Sequence, residues 1–472
     1  MNRNVCAMAA IILLSTLSQA ICGDAATKPS SSTPSWLDSL SIDGFLSGGV
    51  AINFARPFNK INFGHLETDR ANWPQFNQAI LNVERPLDQK ATGLDFGLGF
   101  IGMLGTDARY TQFLGQTEYL IHDRTQLSIV EANLQVHLPI LTKGGVDVTV
   151  GQFMSYNGFE KLTSKDNVFY TRSYSSNFGP FVDTGVMSIV HATDWLDLYA
   201  GIVSGVDTSI GWPGDNNNSP SIHAGLGLNL LNGDLSILAI THSGPENPNV
   251  KDPWLVGWPD GVIGGVPAAC ACNPNNAWRM FNNLTATWNV TENLSFTSDI
   301  SYFRESGWYP VSVFGSTFDA LNALPNGFGF NASLFPQHPR GANAYGIAQY
   351  ATYKIDDSIK LGARVEFWRD AKNFFAAAYP GYFDSVNSEH GFPAPSVIVQ
   401  PQGQGTSYLA ITAGVTFSQK LAGLPYFSGL ILRPEFRWEA AVNDAAPFFG
   451  PNGPKRTQAL FSMDVIAPFA FQ

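Results

Sequence analysis

Charged side chains are scarce in this sequence: Asp, Glu, Lys and Arg supply 14% of it, where soluble domains carry roughly 25%. So little charge argues against a fold that meets water on every side. Basic residues are outnumbered by acidic ones, and the net charge of −11 argues against the basic patches that a nucleic-acid partner requires. Cysteine is nearly absent, with four in all. Cys270 and Cys272 have one residue between them, too close for a metal site without other ligands, and read as a locally bridged surface-loop tip. The eight histidines include no His-x-x-x-His pair, so no metal centre is expected. There is no Gly-x-Ser-x-Gly elbow, and His191 near Asp194 lacks a matching nucleophile, so neither catalytic residues nor a cofactor are expected. The short Gly97-Leu-Gly99 and Gly225-Leu-Gly227 pieces lie inside strand patterns, where glycine serves packing or bending. Apart from the N-terminus, no apolar run approaches the 18 or more residues of a membrane helix.

What is present begins with an export signature. Residues 1–25 read as a signal peptide: Arg3, an apolar run from Val5 to Leu17, and small-residue cleavage sites after Ala20 or Ala25. Residues 26–40, with Thr27 to Pro34 reading TKPSSSTP, form a flexible spacer. An exported chain without a membrane helix is either soluble or a β-barrel.

From residue 41 to 472, strand signals recur in pairs. The pattern predicts strands near 41–55, 76–87, 93–105, 127–141, 145–153, 181–192, 195–206, 221–231, 233–243, 277–290, 292–304, 342–355, 357–369, 405–417, 426–439 and 456–471. Even-numbered strands are followed by short links with turn residues, such as Lys143-Gly144-Gly145, Asn232-Gly233 and Asp356-Asp357. Most odd-numbered ones are followed by long Gly/Pro/Asn-rich stretches, including 154–180, 244–276, 305–341 and 370–404. Long structureless loops count against a compact soluble domain; a transmembrane barrel has short turns at one rim and long loops at the other.

Period-two alternation agrees. Leu361, Val365 and Phe367 oppose Lys360, Arg364 and Glu366; Leu432, Phe436 and Trp438 oppose Arg433, Glu435, Arg437 and Glu439; Val130, Ala132 and Leu134 oppose Glu131, Asn133 and Gln135. Tyr199, Trp288, Tyr302, Tyr353 and Trp438 stand at strand ends, where an aromatic girdle belongs. The fold class predicted is all-β: a transmembrane antiparallel up-and-down β-barrel of about 16 strands, with short periplasmic turns, long extracellular loops and outer-membrane lipid around it. The last strand ends on Phe471, the aromatic ending that outer-membrane proteins present to the barrel-assembly machinery; only Gln472 follows.

Four stretches in order carry a family likeness: Ile42-Asp-Gly-Phe45; Val150-Gly-Gln-Phe153 running into Tyr156-Asn-Gly-Phe159; Phe169-Tyr-Thr-Arg-Ser-Tyr174 with Phe181-Val-Asp-Thr-Gly185; and Arg364-Val-Glu366 with Arg433-Pro-Glu-Phe-Arg437. Over nearly the whole mature chain the sequence resembles the bacterial OmpL-like β-barrel porins. That resemblance implies an outer-membrane channel for small hydrophilic solutes or ions, without cofactor or catalytic residues.

In a barrel of this size the lumen is wide enough for water, and selectivity depends on its charges and on what narrows it. The expected pore-lining residues are Glu131, Gln135, Lys360, Arg364, Glu366, Arg433, Glu435, Arg437 and Glu439. The arginine and carboxylate rows among them read either as a transverse field or as an ion-pair network bracing the wall. The loop 154–180, with Lys161, Lys165, Asp166, Tyr170, Arg172 and Tyr174, is the expected constriction, folded inward rather than lying over the mouth. A structural or adhesive barrel that binds a surface partner through its long loops is the alternative reading. No trimer-specific signal is visible, and a homotrimer stays open.

Overall fold

Sixteen strands pair side by side, each antiparallel to the next, and the last pairs back onto the first. In this computed structural model they are β1 (Ser41–Asn53), β2 (Pro74–Arg85), β3 (Asp95–Gly105), β4 (Gln126–Leu138), β5 (Val146–Met154), β6 (Val182–Thr193), β7 (Leu196–Val203) and β8 (Ser221–Leu230). The second half continues with β9 (Leu235–Pro245), β10 (Trp278–Asn289), β11 (Leu294–Glu305), β12 (Ala342–Lys354), β13 (Ile359–Asp370), β14 (Thr406–Lys420), β15 (Gly429–Ala441) and β16 (Thr457–Phe471). The structure describes residues 36–471 except 89–90, 112–116, 118–119, 122–123, 207–208, 211–218, 247–261, 264–265, 268–277, 307–341, 372–374, 377–404 and 422. The signal segment 1–25, most of the spacer, Cys270 and Cys272 lie outside the described residues. Residues 1–39 form a unit of their own, of which the 3₁₀ turn Trp36–Ser39 is described.

Closure is a twelve-residue seam in which Ile42 faces Phe471 at one end and Asn53 faces Leu460 at the other. It leaves no strand edge, so every strand can satisfy its backbone N–H and C=O groups against two neighbours. Each of the sixteen segments expected from alternation coincides with a strand of this barrel. The links 86–94, 139–145, 194–195, 231–234, 290–293, 355–358 and 421–428 are short; the eight at the other rim are long, and the last holds a small hairpin of Phe448–Gly450 with Gly453–Lys455.

The outer face is apolar. Leu134, Val186, Ile202, Ile222, Ile300, Val365, Ile411 and Phe436 all expose a third or more of their surface among the described residues. Val365 faces Ile411, and Ile411 faces Trp438, so the row continues around the wall. At the short-turn rim Trp195, Trp288, Tyr353 and Tyr426 are exposed; at the other rim Trp278, Tyr302 and Tyr345 are, with Tyr302 directly opposite Tyr345. Two aromatic belts therefore bound an apolar band, the arrangement a bilayer selects.

Two side chains face the other way from the sequence expectation. Tyr199 points into the lumen, its ring centroid 5.6 Å from that of Tyr156, because Leu198 and Ile202 take the outward positions of β7. Val130 is also inward and fully buried, packed with Phe45, Ile80 and Met103. A bulge shifts the β3–β4 register between Ile101 and Gly102, and the extra residue reverses facing locally. Substituting Val365→Arg should destabilise the barrel by about 2–4 kcal/mol in lipid vesicles, with Val365→Leu near neutral, as read by denaturant unfolding. Equal stability of the two variants would show that this face does not meet lipid.

Candidate functional site

The connection between β5 and β6, residues 155–181, does not stay at the rim. It crosses the lumen and docks along the inner wall from β10 round to β2. At its start, Gly158 N donates to Asn283 Oδ1 (3.2 Å) and Phe159 N to Asp299 Oδ2 (3.0 Å). In its middle, Tyr170 N and Thr171 N donate to the two carboxylate oxygens of Glu435 (2.8 and 3.1 Å), and Tyr174 N to Glu366 (2.9 Å). Towards β1 and β2, Ser164 Oγ bonds Ser47 Oγ (3.0 Å), and Ser164 N donates to Gln78 Oε1 (3.0 Å). Glycine makes room: a Cβ on Gly362 of β13 would lie 2.8 Å from Val168, and one on Gly49 of β1 would lie 2.7 Å from the Tyr170 ring.

Beneath this loop lies a buried ionic network. Arg364 pairs with Glu366 (2.7 Å) and with the loop's Glu160 (2.6 Å), and donates to Thr171 O (2.9 Å). Arg437 bridges Glu366 and Glu439, and Glu439 also meets His65 of the 54–73 loop (2.9 Å). Arg433 pairs with Asp464 and donates to Ser164 O (2.9 Å). Arg364, Glu366, Arg433, Glu435, Arg437 and Glu439, expected to line open water, are instead 0–2% exposed. They face inward as alternation requires, but the loop covers them. Removing one partner of such a pair costs about 3–5 kcal/mol, because the other charge stays buried. Lys360, four residues earlier on the same inward row, remains exposed.

The loop's own residues divide in two. Tyr170, Arg172 and Tyr174 are buried anchors: Tyr170 OH donates to Asn77 Oδ1 (2.8 Å), and the Tyr174 ring lies under the Arg437 guanidinium. Lys161, Lys165 and Asp166 are not buried.

On the far side of the loop, against β4, β5 and β9 to β11, a cavity of about 310 Å³ remains. Glu131, Asn133 and Gln135 line it from β4, and Asn283 and Asp299 from β10 and β11; Glu160, Lys161 and Arg172 reach it from the loop, and Glu67 from the 54–73 connection. Burial pushes the Glu67 carboxyl up to about 7, with Asp107 adding to the shift and Arg172 opposing it. Glu160 is also buried, yet Arg364 and Arg172 hold it below the ordinary carboxylate range. Glu67, Glu160 and Asp299 were not singled out from the sequence. Asp299 was open to discovery, since it shares the inward row of β11 with Ser301 and Phe303; Glu67 sits in an irregular loop and left no periodic signal.

His191, read in sequence beside Asp194, is held by other partners. Its Nδ1 meets Asp197 (2.7 Å) and its Nε2 meets Asp147 (3.1 Å), while Asp147 also meets His137 Nδ1 (2.6 Å). Both ring nitrogens are thus engaged by carboxylates.

The family model described as "Putative beta-barrel porin-2, OmpL-like" matches residues 39–469. The chain belongs to this family of β-barrel porins and forms an outer-membrane channel for small solutes. No curated protein matches it. Among solved structures it is similar to an OmpT loop L8 deletion mutant of Vibrio cholerae, at 10% identity and a TM-score of 0.48, covering 91% of this chain and 99% of that one. It is also similar to the DcaP channel of Acinetobacter baumannii, at 11% identity and 0.48, covering 92% and 97%. The anion-selective porin from Comamonas acidovorans follows at 10% identity and 0.47, covering 92% and 99%. These likenesses add nothing to what the family match establishes.

If Glu435 anchors the loop, Glu435→Ala should destabilise the folded barrel by about 3–5 kcal/mol and open residues 155–181 to cleavage by an added protease. Persistent protection of that segment would show that the remaining contacts hold it unaided.

Proposed function

We propose that, in this porin, the 155–181 loop is the constriction and that ions and small hydrophilic solutes diffuse through the space it leaves against β4, β5 and β9 to β11. The observation that carries this reading is the cavity itself: a space with charged side chains in its lining, beside a loop pinned by a buried ionic network. Its described lining carries the carboxylates of Glu67, Glu131, Glu160 and Asp299 against the cations Lys161 and Arg172. Glu160 is paired with Arg364 and Arg172 with Glu67, which leaves Glu131 and Asp299 against Lys161, so the balance of the lining is acidic and favours cations over anions. Glu131 and Gln135 act in this reading as lining residues. Arg364, Glu366, Arg433, Glu435, Arg437 and Glu439 act as the brace that sets the passage's width, and Lys360 stands on the exposed wall outside it.

The proposal includes residues 1–25 as the export signal and 26–40 as a flexible spacer, delivery of the Phe471 ending to the barrel-assembly machinery, and assembly as a homotrimer without a catalytic role. Crosslinking in intact membranes distinguishes a trimer from a single barrel.

Two recordings test the channel. Purified protein in planar bilayers should give stable conductance steps with cation preference, and Glu435→Ala should enlarge them; sealed bilayers would remove the transport reading. The second concerns pH. Because the Glu67 carboxyl is pushed up to about 7, it is mostly neutral at pH 6 and mostly ionised at pH 8. Raising the pH therefore adds negative charge to the passage. A unit charge about 10 Å from a permeating ion in water shifts its free energy by about 0.4 kcal/mol, so the cation preference should rise about twofold. Glu67→Gln should flatten that change, and a preference that falls with pH would contradict the assignment.

A further inference from the structure

Asp183 of β6, His223 of β8 and His242 of β9 converge inside the wall near the long-loop rim. Each offers a ligating atom, and these atoms lie within 4.8 Å of one another. All three residues are fully buried. No spacing within one strand announces the group, since the two histidines meet only because β8 and β9 place His223 opposite His242. We propose that this cluster is a binding site for a borderline divalent metal ion of the Zn²⁺ class, with Asp183, His223 and His242 as ligands.

The geometry is that of ligands turned toward a shared centre. Asp183 Oδ2 is 2.9 Å from His223 Nδ1, and Asp183 Oδ1 is 3.2 Å from His242 Nδ1. Ligand atoms of a tetrahedral Zn²⁺ site stand about 3.3 Å apart, given bonds of about 2.0–2.1 Å. Asp183 Oδ1 and His242 Nδ1 meet as an ion pair at 3.2 Å but not in hydrogen-bond geometry, and neither has another hydrogen-bond partner among the described residues. Two buried polar atoms facing one space without a well-formed hydrogen bond are what a cation would satisfy.

The surroundings supply the outer shell. His242 Nε2 is 3.1 Å from Glu246 Oε1, the carboxylate contact that orients a ligating imidazole and raises its basicity. Glu246 is itself fixed by Ser221 Oγ (2.6 Å) and Val206 N (2.9 Å). Tyr156 and Phe281 wall the group, with ring centroids 5.9 Å from His223 and 6.2 Å from His242. Tyr156 also lines the lumen cavity, so a single ring stands between that cavity and the group.

Charge favours the same answer. With neutral imidazoles, the buried Asp183 and Glu246 carboxylates leave two negative charges in a low-dielectric wall; one divalent cation cancels both. A proton on each imidazole would cancel them too, and that is the rival the experiment must separate. Three protein ligands leave a fourth position for water. The site ties β6 to β8 and β9 across the intervening β7, at the rim where the 204–220 and 246–277 connections leave.

The test uses the full-length barrel in detergent, stripped with chelator and titrated with Zn²⁺ by calorimetry. One ion per barrel is expected, with X-ray absorption at the zinc edge reporting two imidazoles and oxygen. His223→Gln and His242→Gln should each weaken binding at least 100-fold, and Glu246→Gln about 10–100-fold. His137→Gln, in the cluster around Asp147, should leave it unchanged. Resistance to a protease verifies that each variant is folded, and Co²⁺ loaded into the unmutated protein gives a visible spectrum of tetrahedral ligation should a variant fail that check. Binding that survives in the His223→Gln, His242→Gln double variant, absence of binding to the unmutated barrel, or a Co²⁺ spectrum without tetrahedral character overturns the proposal and leaves a proton-bridged network. Single-channel conductance is independent of all these readouts, so the passage and the metal site stand or fall separately.

Discussion

Hydrocarbon offers no partner to a backbone N–H or C=O, and that constraint governs this molecule more than any side chain does. The only answer available to strands is to pair on both edges, which closes the sheet. The seam between Ser41–Asn53 and Thr457–Phe471 joins the two ends of the chain, so the wall is complete only when its last strand is in place. Once closed, the period of two divides every strand into a lipid row and a lumen row. Leu361, Val365 and Phe367 turn outward while Arg364, Glu366 and Trp368 turn inward, from a single run of residues.

The lumen is then where polar groups can be held cheaply, and this chain uses the space for a second layer of structure. The loop 155–181 brings its own backbone donors and Glu160 to the inner wall, and the arginines and carboxylates of β13 and β15 receive them. Such charges are expensive out of water. They persist because each has an opposite charge or a backbone dipole in contact, and the desolvation cost is met by several bonds at once. Apolar clusters share the interior: Phe63, Tyr408, Phe448 and Phe449 pack near the mouth, and Phe45, Ile80 and Met103 pack beneath the loop. Part of the cross-section is thereby filled, and the cavity lies against β4, β5 and β9 to β11.

Much of this was legible in the sequence because it is local. Alternation within each strand predicted sixteen segments, and the contrast of short and long links fixed which rim each loop occupies. The inward facing of Arg433, Glu435, Arg437 and Glu439 followed from the same period. What stayed illegible depends on register between distant strands. Burial of those four residues is caused by a loop more than 250 residues earlier in the chain (Arg433 to Ser164, for example), and no local pattern states which wall a loop will reach. Val130 was misjudged because one inserted residue at a bulge reverses facing. The carboxylates around His191 come from β5 and β7, so reading outward from its own neighbours found Asp194 instead of Asp197 and Asp147.

An apolar filling could close part of the lumen as effectively, and buried ion pairs are often no more stabilising than well-packed hydrophobic groups of the same volume. The difference lies in specificity. An apolar loop could settle on the wall in many registers, whereas Glu435 accepts from two successive amides and Arg433 finds Asp464 and the Ser164 carbonyl together only in one. Gly49 and Gly362 impose the same register sterically, since their missing side chains leave space for Tyr170 and for Val168 with Phe169. Charge pairing and close packing thus select one position for the loop, and the width of a diffusive passage is only as well defined as the position of what narrows it.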